Sequence, residues 1–339
     1  MSYSLGILDQ SPIIEDATNE KTLQKTVALA QKAEQLGYSR FWVSEHHNTD
    51  TLAGSSPEVL VSYLLAKTKS INIGSGGVML QHYSPYKVAE NFHVLASLEP
   101  GRVDLGIGKA PGGLPLSTKA LQYGTLNQGE DFEERLTFLQ QLIKQTIPAE
   151  HELYGVQATP IPKIKPALFL LGASPQSAAL AGTLGIAFVF ARFINSDNDV
   201  LAQAATAYRK HHPNGHFAVS IAALAAPTKE EAKELIGDQK ITKVHLASGR
   251  SLTLQSVELA EKFGQESGES YVVKQYDADI LYGTPDDIKT ILDDYHMRYQ
   301  IDEFILHTPV LKEFERERSF ELLSPINLNL HFQQKEAVS

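Results

Sequence analysis

The chain has 339 residues, no cysteine, 42% hydrophobic and 21% charged residues, and a formal net charge of −10. Disulfides, thiolate metal sites and a cysteine nucleophile are excluded, and scattered basic residues on an acidic chain disfavour nucleic acid, which needs a concentrated positive face. No apolar run reaches the ~18 to 20 residues of a membrane helix, and Met1-Ser2-Tyr3-Ser4 lacks the basic start of a secretory signal, so a cytoplasmic protein with no membrane partner is expected.

Strand-like and helix-like segments alternate from the start. Leu5 to Leu8 reads as a first strand that ends at Asp9-Gln10-Ser11-Pro12. Apolar residues at 23, 27, 30, 33 and 36, closed by Gly37, predict a helix over about 22–36. The second strand, 40–43, gives way abruptly to Glu45-His46-His47, because unpaired charge is expensive to bury. Ser56-Pro57-Glu58 opens a helix through Leu65, with Ser as cap and Pro in the first turn.

A third strand, 71–74, runs on into Ser75-Gly76-Gly77-Val78-Met79-Leu80, followed by a helix over 85–98 and a fourth strand over 103–108. A helix over 131–144 precedes a proline-spaced stretch from 149 to 166. The fifth strand, 167–171, leads to a helix after Ser174-Pro175, and the sixth covers 186–190. Helix 198–210, strand 217–224 and a helix from Thr228 continue the rhythm. It lapses between about 237 and 282, where a helix over 253–264 and polar loop predict an insertion. Helix 285–298, strand 303–306 and helix 311–323 then close the chain. Eight strands with intervening helices fit an α/β protein of the (β/α)8 TIM-barrel class, with an insertion before the last βα unit, better than an open sheet. One domain over 1–330 and a polar tail over 331–339 are expected.

In a barrel, chemistry sits where strands emerge, and four such exits carry suggestive residues. Glu45-His46-His47 puts three ionisable groups after the second strand, although an adjacent His pair is equally at home in ordinary hydrogen bonds. Gly76-Gly77 leaves a side-chain-free wall suited to a planar ring, or marks a bulge. Gly106-Ile107-Gly108-Lys109-Ala110-Pro111-Gly112-Gly113 has the wrong glycine spacing for a dinucleotide fingerprint and leads into a loop, which leaves Lys109 as a lone cation. Gly172-Ala173-Ser174-Pro175-Gln176-Ser177 is a strand, turn and helix start whose amides and hydroxyls suit a phosphate, or simply cap the helix. A metal site built on Glu45, His46 and His47 would need further ligands such as Asp9, His82 or His307, but neighbours on an extended chain point in opposite directions.

Four motifs in order resemble the bacterial luciferase-like, flavin-dependent monooxygenases: Val43-Ser44-Glu45-His46-His47; Ile73-Gly74-Ser75-Gly76-Gly77-Val78-Met79-Leu80; Ala89-Glu90 through Leu98-Glu99-Pro100-Gly101-Arg102 to Gly108; and Gly172 to Ala178. Tyr282-Gly283-Thr284-Pro285 and Asp302-Glu303-Phe304 resemble that family's closing unit. The resemblance implies a non-luminescent two-component monooxygenase that uses reduced FMN, delivered by a separate flavin reductase, and O2 to oxygenate a small organic substrate. It implies His46 as the active-site histidine, Gly76 and Gly77 as a cis-linked wall against the flavin ring, and Ser174, Ser177 and Lys109 around the phosphate. It implies a homodimer and no metal. Lys109 stands where the family carries arginine, giving a point charge in place of a bidentate fork, and Gly108 stands where luminescent members carry a reactive cysteine. Three other readings stay open at this stage: a flavin-binding homologue without catalysis, a metal-dependent barrel hydrolase, and use of a deazaflavin in place of FMN.

Overall fold

Helix and strand alternate along the computed structural model, which describes residues 3–14, 17–125, 129–249, 251–254 and 256–328. The elements are β1 (Ser4–Asp9), α1 (Asn19–Gln35), β2 (Arg40–Val43), α2 (Pro57–Lys67), β3 (Asn72–Met79), α3 (Pro85–Leu98), β4 (Val103–Gly108), α4 (Pro115–Leu121), α5 (Phe132–Lys144), β5 (Ala167–Gly172), α6 (Pro175–Leu184), β6 (Ala187–Ala191), α7 (Asn198–His211), β7 (Phe217–Ala225), α8 (Lys229–Ile236), β8 (Lys240–Leu246), β9 (Ser251–Leu254), α9 (Val257–Ser267), β10 (Tyr271–Asp277), β11 (Leu281–Gly283), α10 (Pro285–Tyr299), β12 (Glu303–His307) and α11 (Glu313–Leu322). The polar tail expected at 331–339 lies outside the described residues. No helix among them is long and apolar enough to cross a membrane.

Among the described residues, β1 to β7 and β12 form one parallel ring, closed where β6 pairs with β7 and β12 pairs with both β7 and β1. This is the (β/α)8 barrel that the alternation predicts. Its cause is visible in the period of two along each strand. Leu5 and Ile7, Phe41 and Val43, Phe188 and Phe190, and Phe304 and Leu306 face the helices and join the main core. The alternate residues Leu8, Trp42, Phe169, Val189, Ala218 and Ile305 form a separate cluster inside the barrel.

The N-terminal end of the barrel is filled by charge. Arg40 lies 2.6 Å from Asp104 and 2.8 Å from Glu303, and its guanidinium sits 4.8 Å from the Phe169 ring centroid. Trp42 Nε1 donates to Asp104 at 2.9 Å, and His216 Nε2 lies 3.0 Å from Glu303. Space for this cluster comes from glycine: a Cβ on Gly6 would stand 2.6 Å from Arg40 Cγ, and one on Gly74 would stand 2.5 Å from Asp104 Cβ.

Between α8 and β11 lies an antiparallel sheet in the order β10-β8-β9, backed by α9. Helix and loop alone were expected there. Lys243 Nζ donates to the Ile194 carbonyl at 3.0 Å and Gln239 Nε2 to the Pro309 carbonyl at 2.9 Å, while Arg192 pairs with Asp279. These bonds tie the segment to the exits of β6 and β12, the end of the barrel that carries the candidate site.

Candidate active site

His46 continues the inward face of β2, four residues beyond Trp42. The His46 amide donates to the Gly54 carbonyl at 2.8 Å, and Nε2 lies 3.5 Å from Gln10 Nε2. Glu45 and His47 turn the other way. Glu45 is fully buried and accepts from His47 Nε2 at 2.7 Å, the Tyr83 hydroxyl at 2.7 Å and the Met79 amide at 3.0 Å. The His47 amide donates to the Gly112 carbonyl at 2.8 Å. Glu45 and His47 thus join the loop after β2 to the ends of β3 and β4, leaving His46 as the member of the triplet that faces the barrel mouth.

Two of the further metal ligands considered from the sequence, Asp9 and His82, are occupied elsewhere. Asp9 pairs with Arg316 at 2.6 Å and accepts from Thr26 at 2.7 Å, while His82 contacts the Pro111 carbonyl at 2.9 Å and Gln122 at 3.0 Å. Among the described residues no group of three or more His, Asp or Glu comes together as a ligand set.

Burial first, then the neighbouring His47, lowers His46 to about 4, with Glu45 opposing. Burial and then Arg316 lower His307, at the end of β12, to about 4 as well. Both rings are therefore neutral at pH 7. Their unfolded values lie near 6.5, so between about pH 6.5 and 4 the unfolded chain binds protons that the folded chain refuses. Stability is full above that window and falls as pH drops through it, by up to roughly 3 kcal/mol per histidine below pH 4. Urea midpoints at pH 7 and pH 4.5 should show the decline, and His307→Phe should make it shallower. An unchanged slope in that variant would contradict the assignment.

Gly76 and Gly77 are joined by a cis peptide, and the pairing of β3 with β4 shifts register between Ser75 and Val78. Wall and bulge are thus the same feature. A Cβ on Gly76 would meet Leu8 Cδ1 at 2.8 Å and Trp42 at 3.1 Å, and one on Gly77 would meet the Gly106 carbonyl oxygen at 2.7 Å. Protein packing alone excludes side chains here.

Ser174 caps α6. Its Oγ accepts from the Ser177 amide at 3.2 Å and lies 3.2 Å from Ser177 Oγ. A Cβ on Gly172 would stand 2.5 Å from Ser177 Cβ, so glycine there lets the strand end approach the helix start. Lys109 leaves β4, the strand beside β5, and is exposed with Nζ 5.8 Å from the Phe132 ring centroid. Two hydroxyls, the Gln176 amide in the first turn of α6 and an ammonium group leaving the adjacent strand make a donor set that fits a phosphate. The structure brings Ser174 and Ser177 into contact and sets Lys109 at the neighbouring exit.

Sequence reasoning did not assemble one layer of the lumen, of which it singled out His307 alone, as a possible metal ligand. Gln10, Ser44, Leu171, Ala191, Ser220 and His307 each lie two residues beyond a member of the inner cluster, and so on the same face one step nearer the mouth. Phe193 also packs against the inner cluster, with its ring 5.7 Å from that of His307. Only a strand-by-strand inward and outward assignment carries this signal.

A family model described as luciferase-like monooxygenase matches residues 4–299. The N-acetyl-S-alkylcysteine monooxygenase of Bacillus subtilis is 46% identical to the chain over 94% of its length and 97% of the relative's. The crystal structure of apo-MsnO8 superimposes with a TM-score of 0.77 at 29% identity, covering 98% of this chain and 99% of that one. The oxygenating constituent of 3,6-diketocamphane monooxygenase from Pseudomonas putida, solved in complex with FMN, shares the fold with a TM-score of 0.70 at 18% identity, over 99% of this chain and all of that one.

Proposed function

Because the chain belongs to the luciferase-like monooxygenase family, we propose that it is an FMN-dependent, two-component enzyme that oxygenates the thioether of an N-acylated S-alkylcysteine. The observation that carries the reading is the meeting, at one barrel mouth, of a neutral inward histidine, a side-chain-free wall and a phosphate-fitting helix start. The substrate class rests on the 46% identical relative and its name.

FMN, reduced by a separate flavin reductase, would supply two electrons to O2, so that one oxygen atom enters the substrate and the other leaves as water. The protein's part is positioning and proton control. The Ser174 and Ser177 hydroxyls, the Gln176 amide and Lys109 would hold the phosphate, and the Gly76-Gly77 wall would receive the flat ring. His46, neutral at pH 7, has one nitrogen able to accept a proton and one able to donate, as general acid-base catalysis requires. A homodimer is supported by exposed apolar residues on neighbouring helices: Val59 and Tyr63 on α2, Val94 and Leu98 on α3, each 43–68% exposed.

The test is O2 consumption by the purified protein with N-acetyl-S-ethylcysteine. NADH alone should give none, and adding FMN with a flavin reductase should give substrate-dependent uptake and an oxygenated product. Sedimentation of the same preparation should show a dimer. Tight FMN binding without substrate-dependent uptake would instead identify a non-catalytic flavin carrier.

A further inference from the structure

The inner lumen layer holds more polar atoms than the protein satisfies. Ser44 and Ser220 are 5% and 2% exposed, yet Ser44 Oγ, Ser220 Oγ and His307 Nδ1 are buried without a hydrogen-bond partner among the described residues. Each sits two residues beyond an inner-cluster member, Trp42, Ala218 and Ile305 respectively, on three strands of the same barrel. Gln10 adds a carboxamide to the layer, and Ala191 and Leu171 complete it with apolar surface. Buried polar atoms are nearly always paired, so three orphans on one inner ring point to a missing occupant.

The chemistry of the ring selects that occupant. None of these side chains is charged at neutral pH, and the Arg316 and Asp9 charges that bear on His307 pair with each other at 2.6 Å. A carboxylate placed among them would be buried without a counter-charge, which is costly. A thioether sulfur is only a weak acceptor and would leave hydroxyls and imidazole unmet. A secondary amide offers one strong donor for His307 Nδ1, whose ring already bonds the Leu8 backbone, and one strong acceptor for a serine hydroxyl, and it carries a small apolar acyl group that Ala191 and Leu171 can cover.

We propose that His307, Ser220 and Ser44 seat the acylamino group of the substrate, so that the amide and not the thioether is what the barrel lumen recognises. This rests on the N-acyl S-alkylcysteine reading above and deepens it. In the protein without substrate, ordered water would take the same positions.

The experiment compares calorimetric binding of N-acetyl-S-ethylcysteine and of 3-(ethylthio)propanoate, which lacks the acylamino group, to FMN-loaded protein. Wild type should bind the amide at least about tenfold more tightly, the scale of one well-made hydrogen bond. His307→Phe, which keeps the ring against Phe193, and Ser220→Ala should each bring that ratio close to one. Equal binding of the two compounds by wild type, or an undiminished ratio in both variants, would mean the ring holds water only and would overturn the proposal. Equal weakening of both compounds would do the same, since it is the mark of a purely structural role. Selective amide binding without O2 consumption would sink the catalytic reading and leave this inference standing.

Discussion

Replacing His46 with alanine is expected to lower turnover about 10²- to 10⁴-fold while FMN affinity, read by quenching of flavin fluorescence, stays within a factor of about three of wild type. The split follows from geometry. His46 approaches the mouth from β2, whereas the phosphate-fitting groups Ser174, Ser177 and Lys109 leave β5 and β4. Because burial holds His46 at about 4, the pH-rate profile of wild type should show no step near pH 6.5 from this residue, and activity should fail only as acid protonates the ring. His46→Gln retains a hydrogen-bonding tip but cannot shuttle a proton, so it should resemble alanine in turnover. Wild-type turnover in either variant would assign proton transfer to another group, with His307 next in line on the same lumen.

The barrel was legible because its strands are short apolar runs punctuated by turn residues and its helices carry 3.6-residue stripes. Ser174-Pro175 and Thr284-Pro285 mark helix starts in the sequence, and both serve as caps in the structure. The sheet inside the insertion was not legible. β10 presents Lys274, Gln275, Tyr276 and Asp277 to solvent, and in β8 the alternating buried Thr242, Val244 and Leu246 are interleaved with Lys243 and His245, so neither reads as an apolar run. Helix α4 is only seven residues long and lies in what reads as loop.

Parts of the candidate site divide in the same way. Residues standing beside glycines or caps at strand exits, such as Gly76, Lys109 and Ser174, announce themselves locally. Ser44, Ser220 and His307 do not, because an inward residue differs from an outward one by a single step of register. What unites these three is closure of the ring, which sets β2, β7 and β12 around one lumen despite their separation in the chain.

Closure also explains the second large effect expected. Arg40→Met should destabilise the fold by about 3 to 5 kcal/mol at pH 7, measured from urea unfolding, because it strands two buried carboxylates without their cation. Asp104 and Glu303 have side chains 3% and 0% exposed and share this one guanidinium. Burial alone would push Glu303 upward, but Arg40 and then His216 outweigh it and hold it well below the usual carboxylate range; burial leaves Asp104 raised despite Arg40. With the guanidinium gone, both carboxyls would sit above their unfolded values. The penalty should then be full at neutral pH and shrink as acid neutralises them, so the gap between variant and wild type narrows toward pH 4. Arg40→Lys keeps the charge but loses the fork that reaches two carboxylates at once, and should fall between the two. A loss below 1 kcal/mol for methionine would show that Trp42, Ser39 and His216, which also contact these carboxylates, satisfy the barrel floor unaided.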